Sequence, residues 1–164
     1  MFSNLFADPA RGGRRLGWAL VAALAIGGSP ARVAAQDGAL DLTRYKGKVV
    51  YLDFWASWCG PCKLSFPYMN RLAAEHASDD LVVLAVNVDR SRPQADAFLA
   101  QVKNRLTIVY DPAGREAKRF EVKAMPTSLL LGRDGRVRYV HSGFFPAQIP
   151  AYEAQITELL HEKP

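Results

Sequence analysis

Cysteine is scarce in this chain: two residues in 164, Cys59 and Cys62. That is too few for a disulfide framework, and too few for a structural zinc site, which uses four ligands. The three histidines, His76, His141 and His161, are scattered without finger-like spacing, so no metal and no cofactor is expected. A strong excess of charge of one sign is absent too. The net charge is +5, but four of the 21 basic residues and one of the 16 acids lie in the first 35 positions. The remainder carries 17 basic against 15 acidic residues, too balanced for a nucleic-acid partner, and no aromatic-interleaved basic patch argues for one. There is no internal repeat and no low-complexity segment. What remains is globular composition, 49% apolar and 23% charged, in a chain of one domain's length.

The first 35 residues read as an address. Arg11, Arg14 and Arg15 precede an apolar stretch from Leu16 to Ile26, followed by small residues up to Ala35. Positive start, apolar middle and small-residue finish are the parts of a secretory signal. Eleven apolar residues are short for a membrane span of about 20, so cleavage is expected over retention as an anchor, the alternative. The division is then a signal at 1–35 and one domain at 36–164, delivered to the periplasm, where disulfides persist.

The domain alternates strands and helices. Val49–Trp55 and Leu81–Val88 are short, nearly continuous apolar runs, as strands buried on both faces are. Between them, residues 60–76 read as a helix with Leu64, Tyr68, Leu72 and Ala73 on one side and Pro67 as a kink. This is a βαβ unit with a right-handed crossover. A helix over 93–102, a strand over 106–110 and a helix over 113–120 follow. Residues 128–131 and 136–141 flank Gly132-Arg133-Asp134-Gly135, a hairpin signal. A helix over 148–161 presents Ile149, Tyr152, Ile156, Leu159 and Leu160. The order predicts an α/β fold, a central mixed sheet with helices on both faces.

Both cysteines fall at the junction of the first strand and helix, in Trp58-Cys59-Gly60-Pro61-Cys62-Lys63. The helix dipole and unpaired N–H groups there favour a thiolate on Cys59. The junction is expected to expose its sulfur, while Cys62, one turn inward, is shielded. Cys59 then attacks a disulfide and Cys62 resolves the mixed disulfide. Gly60 and Pro61 suit the tight start of the helix, and Trp58 is expected to cover one side of the sulfur. A purely structural disulfide closing so small a loop gains little unfolded-state entropy.

Asp53 is an acid inside an apolar strand. Burial raises a carboxyl pKa, which suits a proton acceptor for the Cys62 thiol; the alternative is an Asp that ends the strand and binds backbone. Met125-Pro126-Thr127 opens a later strand, and a proline there makes a cis peptide bond the obvious candidate.

The run from Asp53 to Lys63, Pro67 within the helix, Met125-Pro126-Thr127 and Gly143 together resemble the thioredoxin superfamily in order and spacing. The resemblance covers roughly residues 42–162. It implies Cys59 as nucleophile, Cys62 as resolving cysteine, Asp53 as buried proton carrier and Pro126 as the cis-proline beside the site. It also implies that Ala124, Met125 and Thr127 line the substrate groove with Trp58, Gly60 and Pro61. The extra helix and strand between Asp89 and Met125, with the export signal, resemble the exported TlpA/ResA/DsbE-type branch. Ser65 and Asp53 stand where many of these relatives carry a Glu and an Asn, and Ala85 replaces the Lys that commonly accompanies the buried Asp in thioredoxin. These departures point away from a dedicated cytochrome c maturation role.

The function expected is therefore an exported protein-disulfide reductase acting as a monomer. Its partners are disulfide-bearing exported proteins and a membrane thiol donor, with membrane contact only through the N-terminal segment if that is retained. The alternatives are a disulfide oxidase or isomerase, a copper-handling thiol chaperone with Met69 and His141 as loose ligand candidates, and a non-catalytic peptide-binding module. Two features remain open. The basic stretch Arg115, Lys118, Arg119 and Lys123 suits a solvated helix face, and Phe144 and Phe145 fit either a core or an apolar rim.

Overall fold

A computed structural model of the chain describes residues 36–37, 40–77 and 80–163. The signal or anchor expected over 1–35 lies outside the described residues. Six strands form one sheet: β1 (Gln36–Asp37), β2 (Val49–Trp55), β3 (Leu81–Asn87), β4 (Thr107–Tyr110), β5 (Thr127–Leu131) and β6 (Val137–Ser142). Their spatial order is β1-β4-β3-β2-β5-β6. β1, β4, β3 and β2 pair parallel, whereas β5 runs antiparallel to both its neighbours, β2 and β6, so the sheet is mixed. All seven residues of β2 are buried, as expected of a central strand covered on both faces.

Four helices cover it: α1 (Cys62–Glu75), α2 (Arg92–Gln101), α3 (Arg115–Arg119) and α4 (Ile149–His161). Alternation along β2 divides the core. Val49, Tyr51 and Trp55 face a cluster built with α1, α2 and α4, while Val50, Leu52 and Phe54 face one that includes Leu40, Ala117 and Phe120. α3 and the 3₁₀ turn Leu42–Tyr45 close that second face.

Three expectations change. α1 begins at Cys62, with Pro61 at its cap, two residues later than read from the sequence. Its buried face is Cys62, Ser65, Phe66, Tyr68, Met69 and Leu72; Leu64, assigned to the apolar side from sequence, is 58% exposed. The reason is rotational: at 3.6 residues per turn, Cys62, Phe66 and Met69 define the buried stripe and Leu64 falls outside it. Finally, Gln36–Asp37, outside every strand read from the sequence, pairs with Val109 and Tyr110 as an edge strand. The pairing is backbone hydrogen bonding, to which side-chain polarity gives no clue.

Candidate active site

The cysteine loop is held by the ends of two neighbouring strands. β2 delivers the chain to Trp55, and the turn that follows is closed by the Cys59 N–H donating to the Ala56 carbonyl at 3.1 Å. Ser57 is fixed to the far side of the β3 terminus. Its N–H donates to Asp89 Oδ2 at 2.8 Å and its hydroxyl to Oδ1 at 3.0 Å. Asn87, wholly buried, donates in turn to Asp89 Oδ2 at 2.8 Å. Two buried polar residues closing an apolar strand are a sequence signal for such a brace, and the sequence reading did not use it.

Cys59 and Cys62 form a disulfide with Cα atoms 5.4 Å apart. The N–H of Cys62, in the first turn of α1, points at Cys59 Sγ at 3.2 Å. This is the helix-start donation that favours negative charge on the outer sulfur. Cys62 is fully buried, but Cys59 is only 4% exposed, which corrects the expectation of an exposed sulfur. The closed turn lays Cys59 against the same core cluster as Tyr68 and Phe144. Trp58 is 70% exposed and stands on an open groove of about 320 Å³ with Lys63, Gln94 and Phe98. Gly60 and Pro61 are exposed at the tip of the turn.

The Met125–Pro126 peptide bond is cis. Pro126 is buried, and its carbonyl accepts from Gly143 N–H at 2.8 Å. Gly143 has φ +86°, a left-handed conformation in which glycine carries no side-chain penalty. Thr127 is buried and its hydroxyl donates to the Ala124 carbonyl at 2.8 Å; Ala124 itself is exposed. Met125 packs on the cluster that contains both cysteines. Phe144 and Phe145 divide: Phe144 is buried against Tyr68, with ring centroids 5.6 Å apart, while Phe145 is exposed.

Asp53 is 1% exposed, and its Oδ2 has no hydrogen-bond partner among the described residues. It alternates with Tyr51 and Trp55, so it lies on the sheet face that carries the cysteines. Ala85 is its register partner on β3, an apolar neighbour where a cation would hold the carboxylate ionised. Burial alone pushes its pKa well above the ordinary carboxylate range.

Among the described residues, no group of three or more His, Cys, Asp or Glu side chains could hold a metal ion. Met69 is fully buried, and both ring nitrogens of His141 face polar partners, Ser128 and Gln155. Arg115, Lys118, Arg119 and Lys123 are all exposed, with Arg119 3.3 Å from Glu116, as a solvated helix face requires.

The Redoxin family profile matches residues 28–156. The chain belongs to the Redoxin family. Among its relatives is the thiol-disulfide oxidoreductase ResA of Bacillus subtilis (strain 168), 33% identical over 104 residues, 63% of this chain and 58% of that one. The chain thus spans less than two thirds of the length of the curated relatives it matches. A structure described as a thiol:disulfide interchange protein DsbE, from Chlorobium tepidum, is 48% identical with a TM-score of 0.70, covering 73% of this chain and 84% of that one. The exposed lipoprotein thioredoxin Etrx1 of Streptococcus pneumoniae is 33% identical with a TM-score of 0.60, covering 72% and 90%. This Redoxin member therefore has a thioredoxin-like fold of the ResA/DsbE kind, and its Cys59–Cys62 pair is a redox-active disulfide.

Proposed function

We propose that this protein is an exported thiol-disulfide oxidoreductase that reduces protein disulfides in the periplasm. The observation that carries the reading is the pairing of two features on one sheet face. One is a dithiol whose outer sulfur receives the first N–H of α1. The other is an unpartnered buried carboxyl, Asp53. Cys59 attacks a client disulfide, forming a mixed disulfide and releasing one client thiol. Cys62 then attacks Cys59, giving its proton to Asp53, and the second client thiol leaves. Trp58, Gly60, Pro61, Ala124, Met125, Pro126 and Thr127 form the surface on which the client lies. Its clients are exported proteins with disulfides, and a thiol donor in the membrane restores the dithiol. The arginine-led segment before residue 36 supports export, and the Gly-Pro spacer resembles the reducing members of the superfamily.

The test is a Cys62→Ala variant in the native host, whose mixed disulfides are recovered and identified. Exported proteins joined to Cys59 are expected; recovery of none would sink the reading. A reduction potential measured on the parent dithiol then separates reductant from oxidant.

A further inference from the structure

The polar residues on the cysteine face form a row. Register places Ala85, Asp53, Ser128 and His141 side by side across β3, β2, β5 and β6, and directly opposed residues hold their Cβ atoms about 5 Å apart on one face. The row begins at the most buried acid of the sheet and ends on the edge strand β6. Ser128, also buried, accepts from the Tyr51 hydroxyl at 3.0 Å and lies 3.4 Å from Nδ1 of His141. His141 is half-buried. Its Nε2 is 2.8 Å from Gln155 Oε1 on α4, and its ring lies 4.4 Å from that of Tyr152.

Hydrogen-bond polarity orders this chain. Gln155 Oε1 can only accept, so Nε2 carries the proton and Nδ1 is left as an acceptor. Tyr51 donates to Ser128, so the Ser128 proton is free to point at Nδ1; the serine oxygen keeps a second lone pair, and register sets Asp53, whose Oδ2 has no partner at rest, directly opposite. Burial holds the imidazole pKa below its ordinary value, so the ring is a neutral acceptor near pH 7. The other ionisable groups packed here are Tyr51, Cys62, Tyr68 and Tyr152. Glu158 is held by Tyr139, and Arg71, Glu75 and Glu153 act on Tyr68. None supplies Asp53 with an opposing charge.

We propose that Ser128 and His141 relay the proton between buried Asp53 and solvent during thiol exchange. This rests on the reading of Asp53 as the proton acceptor of Cys62. When a client disulfide oxidises the pair, two electrons pass to the client, its S–S bond breaks and the Cys59–Cys62 bond forms. The Cys62 proton goes to Asp53 and then to the Ser128 oxygen. Ser128 gives its own proton to Nδ1, and the imidazolium so formed parts from Gln155 Oε1 and releases its Nε2 proton to solvent. The client thiolates take protons from solvent. Reduction of the pair runs the same route inward.

Reduction of the Cys59–Cys62 disulfide by dithiothreitol, followed by tryptophan fluorescence in stopped flow, needs no client. His141→Asn and Ser128→Ala are expected to slow it about 10-fold or more near pH 7, with Ser128→Thr close to the parent. Free imidazole should restore the rate of His141→Ala, an outcome a packing role would not produce. Alkylation of Cys59 in the reduced variants should be unchanged. Parent-like rates in both His141→Asn and Ser128→Ala, or a slowed His141→Ala that imidazole leaves slow, overturn the relay. A parent-like Asp53→Asn in the same assay would instead remove the acceptor role beneath it, and a wrong cellular direction shows only in the client trap.

Discussion

Ser57 gives both its backbone N–H and its hydroxyl to the carboxylate of Asp89, at 2.8 and 3.0 Å. Two bonds to one buried carboxylate fix position and orientation together, two residues ahead of Cys59. Asp89→Ala leaves both Ser57 donors and Asn87 Nδ2 without their acceptor. The expected cost is about 2–4 kcal/mol in urea unfolding, with a severalfold fall in kcat/KM for disulfide reduction. Asp89→Asn, which keeps an oxygen acceptor, should lose less on both measures. Equal losses for the two variants would contradict an orienting role.

Asp53 makes stability depend on pH in a known direction. Its folded pKa is raised well above the ordinary value, whereas the unfolded chain releases that proton near pH 3.9, about the model-peptide value. Between the two, the unfolded state ionises and the folded state resists. Stability is therefore fully present below about pH 4 and is lost as pH rises through the folded pKa. Asp53→Asn should be stabilising at about pH 8 by roughly 1–3 kcal/mol and much less so at about pH 4. Thermal unfolding of the oxidised protein at both values checks this, and an equal gain at the two would refute it.

Arg133 ties four parts of the chain. Nη1 donates to the Gly47 carbonyl at 2.8 Å and to Asp80 Oδ2 at 2.9 Å, Nη2 to the Leu160 carbonyl at 3.0 Å and Nε to the Glu162 carbonyl at 3.2 Å. Asp80 is over half exposed, so that ion pair adds little; the three carbonyls carry the effect. Arg133→Ala should cost about 2–4 kcal/mol. Arg133→Lys should recover only part, because an ammonium cannot reproduce the planar fork. Full recovery by lysine would show that charge, not geometry, matters.

α2 is held to the core mainly by Ala95 and Phe98, its buried residues. Phe98 stacks between Trp55 at 4.9 Å and Phe66 at 5.2 Å. Phe98→Ala should cost about 3–5 kcal/mol. It should also raise amide exchange in α2 more than in α1, since Phe98 is one of two buried residues of α2 whereas α1 buries six. Uniform protection loss across both helices would argue against this local release.

Local pattern carried most of the architecture. The apolar runs at Val49–Trp55 and Leu81–Val88 match β2 and β3 to within a residue because both faces of each strand are covered, which leaves no ambiguity of period. Asp-Gly in 132–135 marked the β5–β6 hairpin for a similarly local reason. The two-residue β1 was illegible because its partner, β4, is more than 70 residues away and contributes only backbone groups. The Ser57–Asp89 brace joined residues that no spacing rule connects, and the place of the β5–β6 hairpin beside β2, which lines Ser128 and His141 up with Asp53, was equally illegible.

The sequence alone determined the chemistry: one cysteine pair at a strand-helix junction, an acid embedded in an apolar strand, and a proline opening another. These are covalent and periodic facts that need no long-range geometry. Only the tertiary structure decided that Cys59 is nearly as buried as Cys62, because the closed turn presses it against the core. Only strand register decided that Asp53, Ser128 and His141 stand in one row. Side chains two residues apart in a strand share a face by necessity, but which strands lie beside one another is fixed by packing of the whole sheet.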